Sequence, residues 1–354
     1  MGRILSTFHL FPFSGLPESN RPAPDRRRSL TLSAQEGIPP FRPRNPAFFH
    51  NTSSGPFYRR LRHHWWKNWF RLKFPKGFYC PVSHPAEWAE CLEKIRNRKP
   101  DALFVGGGDG TVHHLLQMDF PQDLPLVPIP LGSANVLSYH LQGKRIPSFL
   151  YRDEPFFPVS VRLGEWNDRL FLLMAGAGFD GRAVNKIRPS VKHLLGQAGY
   201  LIAALSAMRD WSGSPFRIVL NNEGLKAEEY RTAWCVVRRM PVYFPPFPPE
   251  TSWEKGRDNL RVDIFTGTTR KDFLIYLLGV GSGVRGISWY RISRWATQVE
   301  ISGEIPGQMD GEPVLYKDAT LSVSSRRITL LFSSRGLKRF GRFYGVCSPS
   351  PVYN

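Results

Sequence analysis

Apolar runs, polar turns and helical segments follow one another in a fixed order through the first part of the chain. Residues 102–105 form an apolar run that leads through the glycine turn 106–111 into a helical segment at 112–118. The apolar run 124–129 is followed in the same way by a polar turn and a helical segment at 136–141. Successive strand, turn and helix units predict a mostly parallel sheet covered by helices, with ligands at the carboxyl ends of the strands.

After residue 156 the alternation of strands and helices gives way to shorter predicted strands that are separated by polar turns. Two helical insertions are predicted among them, at 191–208 and 271–278. Such spacing is typical of antiparallel sheets, so the second part of the chain is predicted to be an antiparallel domain. Its predicted strands are 158–163, 170–175, 216–220, 232–237 and 260–265.

Domain boundaries follow from these changes in pattern. Residues 1–45 are rich in Pro, Ser and Arg and show no sustained period of 2 or 3.6, so we expect a disordered basic extension there. We expect residues 46–150 to form the first domain, which residues 325–340 complete, and residues 151–324 to form the second domain. Residues 341–354 are expected to be a tail.

The composition favours a globular protein with an anionic partner. The chain has 354 residues, of which 42% are apolar, and a formal net charge of +19. This charge suits nucleic acid, a phospholipid surface or polyphosphate, and does not choose among them. The four cysteines are scattered, with no Cys-x-x-Cys pair and no histidine cluster at metal spacing, so neither a disulfide scaffold nor a zinc module is predicted.

The predicted location is the cytoplasm, with peripheral contact to a membrane. No apolar run reaches the ~18 residues of a spanning helix. Residues 59–76 carry seven basic side chains, no acid, and several tryptophans and phenylalanines. Three interpretations of this segment remain open: the core face of an ordinary surface helix, an interfacial membrane helix, and a nucleic-acid face. The partner we expect is a lipid substrate at an anionic membrane surface, and no nucleic acid.

The glycine turn 106–111 has the chemistry of a phosphate site. Glycines let a ligand approach the backbone amides closely, and the start of the following helix favours an anion. Asp109 places a carboxylate inside the turn, which suits a phosphate group only if a divalent cation lies between them, so a metal nucleotide is implied. The turn matches neither the Walker loop nor the dinucleotide-binding fingerprint.

Four motifs occur in order along the chain, and together they carry a family resemblance. The chain resembles the diacylglycerol kinase catalytic-domain family and looks like a bacterial-type soluble lipid kinase, similar to the sphingosine and ceramide kinases. The segment Asn51-Thr52-Ser53-Ser54-Gly55 stands where the family has its opening Asn-Pro-x-Ser-Gly turn. The motifs are Gly107-Gly108-Asp109-Gly110-Thr111, Pro130-Leu131-Gly132-Ser133-Ala134-Asn135, Gly176-Ala177-Gly178-Phe179-Asp180 and Met309-Asp310-Gly311-Glu312.

The resemblance implies a Rossmann-like first domain, a β-sandwich second domain, and an active site between them that uses ATP and Mg²⁺. It implies that Asp310 acts as general base on the acceptor hydroxyl, with Glu312 nearby. It also implies a structural Mg²⁺ ligand at Asp258, although the family's Asp-Gly-x-Leu turn is altered here. The residues implied to line ATP are Asn51, Ser54, Gly55, Gly107, Gly108, Asp109, Gly110, Thr111, Ser133 and Asn135.

Departures from the family pattern keep three functions open. Val136 stands where many relatives have Asp, His113 and His114 stand where the family usually has Asn and Glu, and Arg238-Arg239 falls where a polar Asn loop is expected. The first function is an ATP-dependent lipid kinase that phosphorylates diacylglycerol or a related lipid, giving phosphatidic acid or a related phospholipid. The second is an NAD kinase-like phosphotransferase, and the third is a non-catalytic lipid-binding or regulatory relative.

Overall fold

A computed structural model of the chain describes residues 38–55, 63–118, 120–121, 123–144, 146–186, 214–241, 258–282 and 290–344. The predicted helix at 191–208 and residues 1–37 of the predicted extension lie outside the described residues. Residues 38–45 of that extension are described, and Phe41 forms a β-bridge with Phe156.

The first part of the chain alternates strands and helices, as its pattern predicts. The strands are Ala47–Asn51 (β1), Phe78–Val82 (β2), Leu103–Gly107 (β3) and Leu126–Pro130 (β4). They are parallel and lie side by side in the order β4-β3-β1-β2. The helices are His63–Lys73 (α1), Trp88–Arg98 (α2), Asp109–Gln117 (α3) and Val136–Gln142 (α4).

These helices cover both faces of the parallel strands. Trp88, Leu92 and Ile95 recur at helical spacing on α2 and are buried, so they form its core face. Phe70 of α1 packs on the opposite face of the sheet, in a cluster with Phe48 and other aromatic residues. The interpretation of this segment as the core face of a surface helix is therefore correct for the side of α1 that carries Phe70. Within the described residues, no helix combines the length and the apolar character needed to cross a membrane.

The second part of the chain is antiparallel. In the described residues of this part, the α-helices are Phe179–Lys186 (α5), Arg270–Ser282 (α6) and Ser334–Phe340 (α7). The strands are Phe156–Trp166 (β5), Arg169–Phe171 (β6), Met174–Gly178 (β7), Phe216–Asn221 (β8), Glu228–Thr232 (β9), Trp234–Arg238 (β10), Leu260–Phe265 (β11), Arg291–Ala296 (β12), Gln298–Met309 (β13) and Glu312–Ser333 (β14).

Two long strands, β13 and β14, pair with different strands along their length. They therefore connect separate parts of the sheet. The beginning of β13 pairs with β8 and its end with β7. The strand β14 pairs with β13 and then β5, and its Leu330 lies beside Leu126 of β4 in parallel. A second hydrophobic core lies among these antiparallel strands.

One pair of cysteines is joined between a strand and a helix. The scattered cysteines predicted no disulfide scaffold, yet the structure joins Cys80 of β2 to Cys91 of α2, with Cα atoms 6.2 Å apart. The packing of α2 against β2 brings the two residues together, and sequence spacing does not reveal such packing.

Candidate active site

The predicted nucleotide residues gather at one edge of the parallel sheet. Because β1, β3 and β4 are adjacent and parallel, the loops after Asn51, Gly107 and Pro130 are neighbours. The structure thus brings together all ten residues predicted to line ATP: Asn51, Ser54, Gly55, Gly107, Gly108, Asp109, Gly110, Thr111, Ser133 and Asn135.

Two glycine turns at this edge touch through their backbones. A Cβ atom added to Gly132 would lie 2.4 Å from the Cα of Gly108, and one added to Gly107 would lie 2.4 Å from the Oγ1 of Thr111. The amides of Leu131 and Gly132 donate to the carbonyl of Gly107, at 3.0 and 3.2 Å. The two turns can touch because these glycines have no side chain. Any side chain at these positions would push the turns apart.

Asparagine side chains shape the neighbouring loops. The Nδ2 of Asn51 donates to the Oγ1 of Thr111 at 3.1 Å, and its Oδ1 accepts from the amide of Ser53 at 3.1 Å. Asn135 has a left-handed backbone with φ of 52°. Its Oδ1 accepts from the amide of Gly132 at 2.8 Å, and its Nδ2 donates to the Gly132 carbonyl at 2.7 Å. These contacts fix the shape of the loops that follow β1 and β4.

Asp109 has a structural task in addition to the predicted one. Its Oδ2 accepts from the amide of Val136 and its Oδ1 from the amide of Leu137, both at 3.0 Å. The carboxylate from α3 therefore satisfies the first-turn amides of α4, which have no acceptor within their own helix. Its predicted role beside a metal nucleotide stays a prediction.

The carboxylate of Asp310 is buried and surrounded by donors. Its side chain is 3% exposed. The Oδ1 accepts from the amides of Leu173 and Met174 at 2.7 and 3.0 Å, and the Oδ2 accepts from the amide of Leu172 at 2.8 Å. The Nδ1 of His113 lies 3.3 Å from the same Oδ2. Asp310 thus ties α3 to the segment between β6 and β7.

Glu312 is the predicted carboxylate that reaches the glycine turn. It is partly exposed. A Cβ atom added to Gly110 would lie 2.3 Å from the Oε1 of Glu312, so the carboxylate rests against the first turn of α3. This contact joins the two halves of the predicted site.

A buried glutamine supports the turn between Asp310 and Glu312. The Nε2 of Gln308 donates to the Oδ2 of Asp180 at 2.9 Å, and its Oε1 accepts from the amide of Gly311 at 2.7 Å. The hydroxyl of Tyr316 donates to the Gln308 carbonyl at 3.1 Å. Burial raises the pKa of Tyr316 well above its usual value, so this hydroxyl stays a neutral donor.

Asp258, the predicted Mg²⁺ ligand, is engaged by an arginine. Its Oδ1 lies 3.0 Å from the Nη1 of Arg162, and its side chain is 70% exposed. Within the described residues, no group of three or more His, Cys, Asp or Glu side chains is placed to hold a metal ion. An exposed carboxylate already paired with a cation does not fit a structural divalent metal, so the donor set at Asp258 disagrees with the prediction.

Comparison with known proteins identifies the family. The family model described as the diacylglycerol kinase catalytic domain matches residues 47–150. A protein of Pseudomonas aeruginosa strain PAO1 named as a probable lipid kinase, YegS-like, is 32% identical over 232 residues, which are 63% of this chain and 73% of that protein. The chain belongs to the diacylglycerol kinase catalytic-domain family.

Other relatives match over shorter or more divergent stretches. A protein of Pseudomonas fluorescens strain Pf-5, also named as a probable YegS-like lipid kinase, is 32% identical over 115 residues, and the chain spans only 38% of its length. The crystal structure of a putative diacylglycerol kinase from Bacillus anthracis str. Sterne has a TM-score of 0.63 at 18% identity, covering 85% of this chain and 97% of that one. At this identity the likeness concerns the fold, and it confirms the predicted α/β class.

Residues outside the family's motifs also contribute to the site. Gln117 of α3 exchanges two hydrogen bonds with the backbone of Leu170, at 2.7 and 3.0 Å, beside the contact between His113 and Asp310. Gln308 and Tyr316 support the 310–312 turn. For His113 the signal was its departure from the diacylglycerol kinase pattern. Gln308 is a polar residue in an otherwise buried strand end, directly before a motif. Tyr316 and Gln117 carried no signal in the sequence.

Proposed function

We propose that this protein is an ATP-dependent lipid kinase that transfers the γ-phosphate to a hydroxyl of diacylglycerol or a related lipid. Family membership supports a kinase. The single observation that carries the proposal is the contact of Glu312 with Gly110, which places an accessible carboxylate beside the glycine turn. Phosphoryl transfer needs little covalent help beyond a positioned metal nucleotide and a carboxylate near the attacking hydroxyl.

The loops at the carboxyl edge of the parallel sheet are proposed to hold ATP with Mg²⁺. Bound ATP supplies the phosphoryl group, and Mg²⁺ neutralises its charge. Glycines at 107, 108 and 110 allow close backbone approach, and α3 begins at Asp109, where first-turn amides favour an anion. Asn51 and Asn135 hold the flanking loops in shape.

Glu312 is proposed as the general base in place of Asp310. Each oxygen of Asp310 already accepts from a backbone amide, and its side chain is buried. A general base must come within hydrogen-bond reach of the proton that it removes. Glu312, which is partly exposed beside Gly110, meets this requirement better, while Asp310 holds the turn that presents it.

Helix α1 is proposed to meet the anionic membrane that holds the lipid. Trp65 is 52% exposed and Leu72 is 84% exposed, and Arg71 is exposed as well. Helix α1 contains no acidic residue. Exposed apolar and basic side chains on a helix without acidic residues suit an interface with anionic headgroups. The basic residues Arg59, Arg60 and Arg62, which precede α1, lie outside the described residues.

To test the proposal, the purified protein is incubated with labelled ATP and Mg²⁺. The acceptor is either diacylglycerol in mixed lipid vesicles or NAD. We expect label in the lipid fraction. Label in NADP would support the NAD kinase alternative. Vesicle binding without label on either acceptor would support a non-catalytic relative.

A further inference from the structure

Arg239 is a cation buried in the second half of the molecule. It follows β10 and is 2% exposed. Its Nη1 donates to the carbonyl of Asn259 at 2.7 Å, and its Nε and Nη2 donate to the carbonyl of Arg162 at 3.2 and 2.9 Å. Two carbonyl groups, one from β5 and one from the turn before β11, therefore converge on a single guanidinium.

A second guanidinium completes this arrangement. The Nη1 of Arg162 lies 3.0 Å from the Oδ1 of Asp258, and its Nε donates to the carbonyl of Ser324 at 3.0 Å. A divalent cation at Asp258 would face two neighbouring positive charges, which makes its binding unfavourable. Burial is the main influence that lowers the pKa of Arg239 to about 10, which still leaves it cationic at neutral pH.

The backbone of Arg239 reaches the cradle of Asp310. The amides of Arg239 and Met240 donate to the carbonyl of Leu173 at 2.9 and 3.3 Å. The amide of the same Leu173 donates to the Oδ1 of Asp310 at 2.7 Å. The peptide groups around Leu173 thus connect the buried guanidinium segment to the carboxylate.

We propose that Arg239 is an internal cation that takes over the structural task expected of a divalent metal at Asp258, and that no metal binds this turn. Carbonyl oxygens and a carboxylate are groups that a hard cation would also use, and here guanidinium groups occupy them. Arg239 is a positioning residue, because it acts through the peptide groups around Leu173. The inference about metal stands without the proposed function, whereas the effect on turnover rests on it.

Metal dependence is measured first, on the full chain without nucleotide. We expect the thermal midpoint to be the same in EDTA and in Mg²⁺, and a titration with Mn²⁺ followed by electron paramagnetic resonance to show no site that depends on Asp258. A midpoint that falls in EDTA, with the loss abolished in Asp258→Asn, would overturn the proposal. Neither measurement requires activity.

Substitutions then test the cation itself. Arg239→Met should lower the thermal midpoint by several degrees, because the carbonyl groups of Arg162 and Asn259 lose the hydrogen bonds that Arg239 donates. Arg231→Met, on the exposed side of β9, is the matched control and should leave the midpoint unchanged. If Arg239→Met does not fold, Arg239→Lys replaces it, since it keeps the charge and loses the planar fork.

Turnover separates positioning from general stability. In Arg239→Lys, assayed well below its midpoint, kcat for the lipid acceptor should fall while the KM for ATP stays unchanged, because the 310–312 turn is displaced and the nucleotide loops are not. Equal thermal midpoints for Arg239→Lys and wild type, together with equal kcat, would contradict a role for the guanidinium geometry. If the wild-type protein phosphorylated no lipid, the proposed function would be wrong. The inference that no metal binds the turn at Asp258 would still stand.

Discussion

Asp310 and Glu312 are two residues apart and lie in contrasting surroundings. Asp310 accepts from three backbone amides inside the protein, while Glu312 lies partly exposed against Gly110. Sequence alone presents them as an equivalent pair on one extended segment. The left-handed backbone of Asp310, with φ of 50°, belongs to the tight turn that points the two side chains to different environments.

Substitution separates these two roles. Glu312→Gln should lower phosphate transfer by about 10²–10⁴-fold, the usual contribution of a general base, with ATP binding and the thermal midpoint kept. Asp310→Asn should lower the free energy of unfolding by about 2–5 kcal/mol, because an amide group would face backbone donors. Steady-state kinetics and urea unfolding measure the two effects. Glu304→Gln, an exposed carboxylate of β13, is the control. If Glu312→Gln kept full activity, Glu312 would not be the general base, and Asp310 would again be the candidate.

His140 gives the stability a dependence on pH. It is fully buried, and burial, with a smaller effect of Arg339, lowers its pKa to about 3. Its Nε2 lies 2.7 Å from the hydroxyl of Tyr344. Unfolded histidine titrates near pH 6.5, so between about pH 6.5 and 3 the unfolded chain binds the extra proton and unfolding becomes easier as pH falls, by up to about 1.4 kcal/mol per pH unit.

Urea unfolding between pH 7 and 4 checks this dependence. His140→Gln should flatten the decline of unfolding free energy with falling pH, whatever its stability at pH 7, because the proton acceptor is gone. His64→Gln, on the exposed side of α1, should keep the wild-type slope. Parallel slopes for wild type and His140→Gln would show that other groups cause the acid sensitivity.

At the residue scale, the sequence predicts which side chains gather and misses their partners. The ten nucleotide residues lie on neighbouring loops because parallel strands place their carboxyl ends at one edge. The partners of Asp109 and Asp310 could not be predicted, since amides from Val136 or Leu173 approach them only after distant segments pack. Arg239 was noted as a departure from the family pattern, but its carbonyl acceptors are 77 and 20 residues away.

Among the elements, the paired glycine turns depend most on residue size. Gly132→Ala would place a Cβ atom 2.4 Å from the backbone of Gly108, so the turns must separate. We expect a loss of about 1–3 kcal/mol of unfolding free energy and weaker ATP binding. Gly224→Ala is the control: it has a positive φ of 72° and open space around it, so it carries backbone strain without a clash. Isothermal titration with ATP would contradict the prediction if Gly132→Ala bound as wild type.

Helix α1 has two faces with different tasks. Phe70 is buried in the core, whereas Trp65 and Leu72 are exposed. Replacing Trp65 and Leu72 together by Ala should weaken sedimentation with anionic vesicles by about tenfold or more, because apolar burial at the interface is lost. Leu225→Ala, in the exposed turn between β8 and β9, is the matched control. Unchanged sedimentation of the α1 variant would leave this helix only its packing role.

Strands and helices were predicted correctly where the local pattern of apolar residues agrees with the place of the element in the fold. The strand at 260–265 is observed with its predicted bounds, and α4 begins where predicted. The predicted strand 170–175 is divided into β6 and β7, because Leu172 and Leu173 turn their amides to Asp310. The partner changes of β13 and β14 are long-range pairings that local hydrophobic periodicity does not encode.

For the whole molecule, one hydrophobic core connects the parallel and antiparallel halves. The cluster that holds Phe49 and Val105 of the parallel strands also holds Val159 of β5 and Trp234 of β10. Strand β14 adds a direct link, since it pairs with β5 and, through Leu330, with β4. The predicted boundary between two domains at residue 150 stays a prediction, and the strand direction changes after it.

This shared core predicts that both halves unfold together. Hydrogen exchange measured by mass spectrometry across a urea series should show β3 and β11 losing protection at one midpoint, because neither half keeps its buried faces without the other. Leu330→Ala, which removes a buried side chain of β14, should shift both midpoints by the same amount, with a loss of about 2–5 kcal/mol. Leu315→Ala, at an exposed position on the same strand, should shift neither midpoint. If β11 lost protection at lower urea than β3, the antiparallel half would be an independent folding unit.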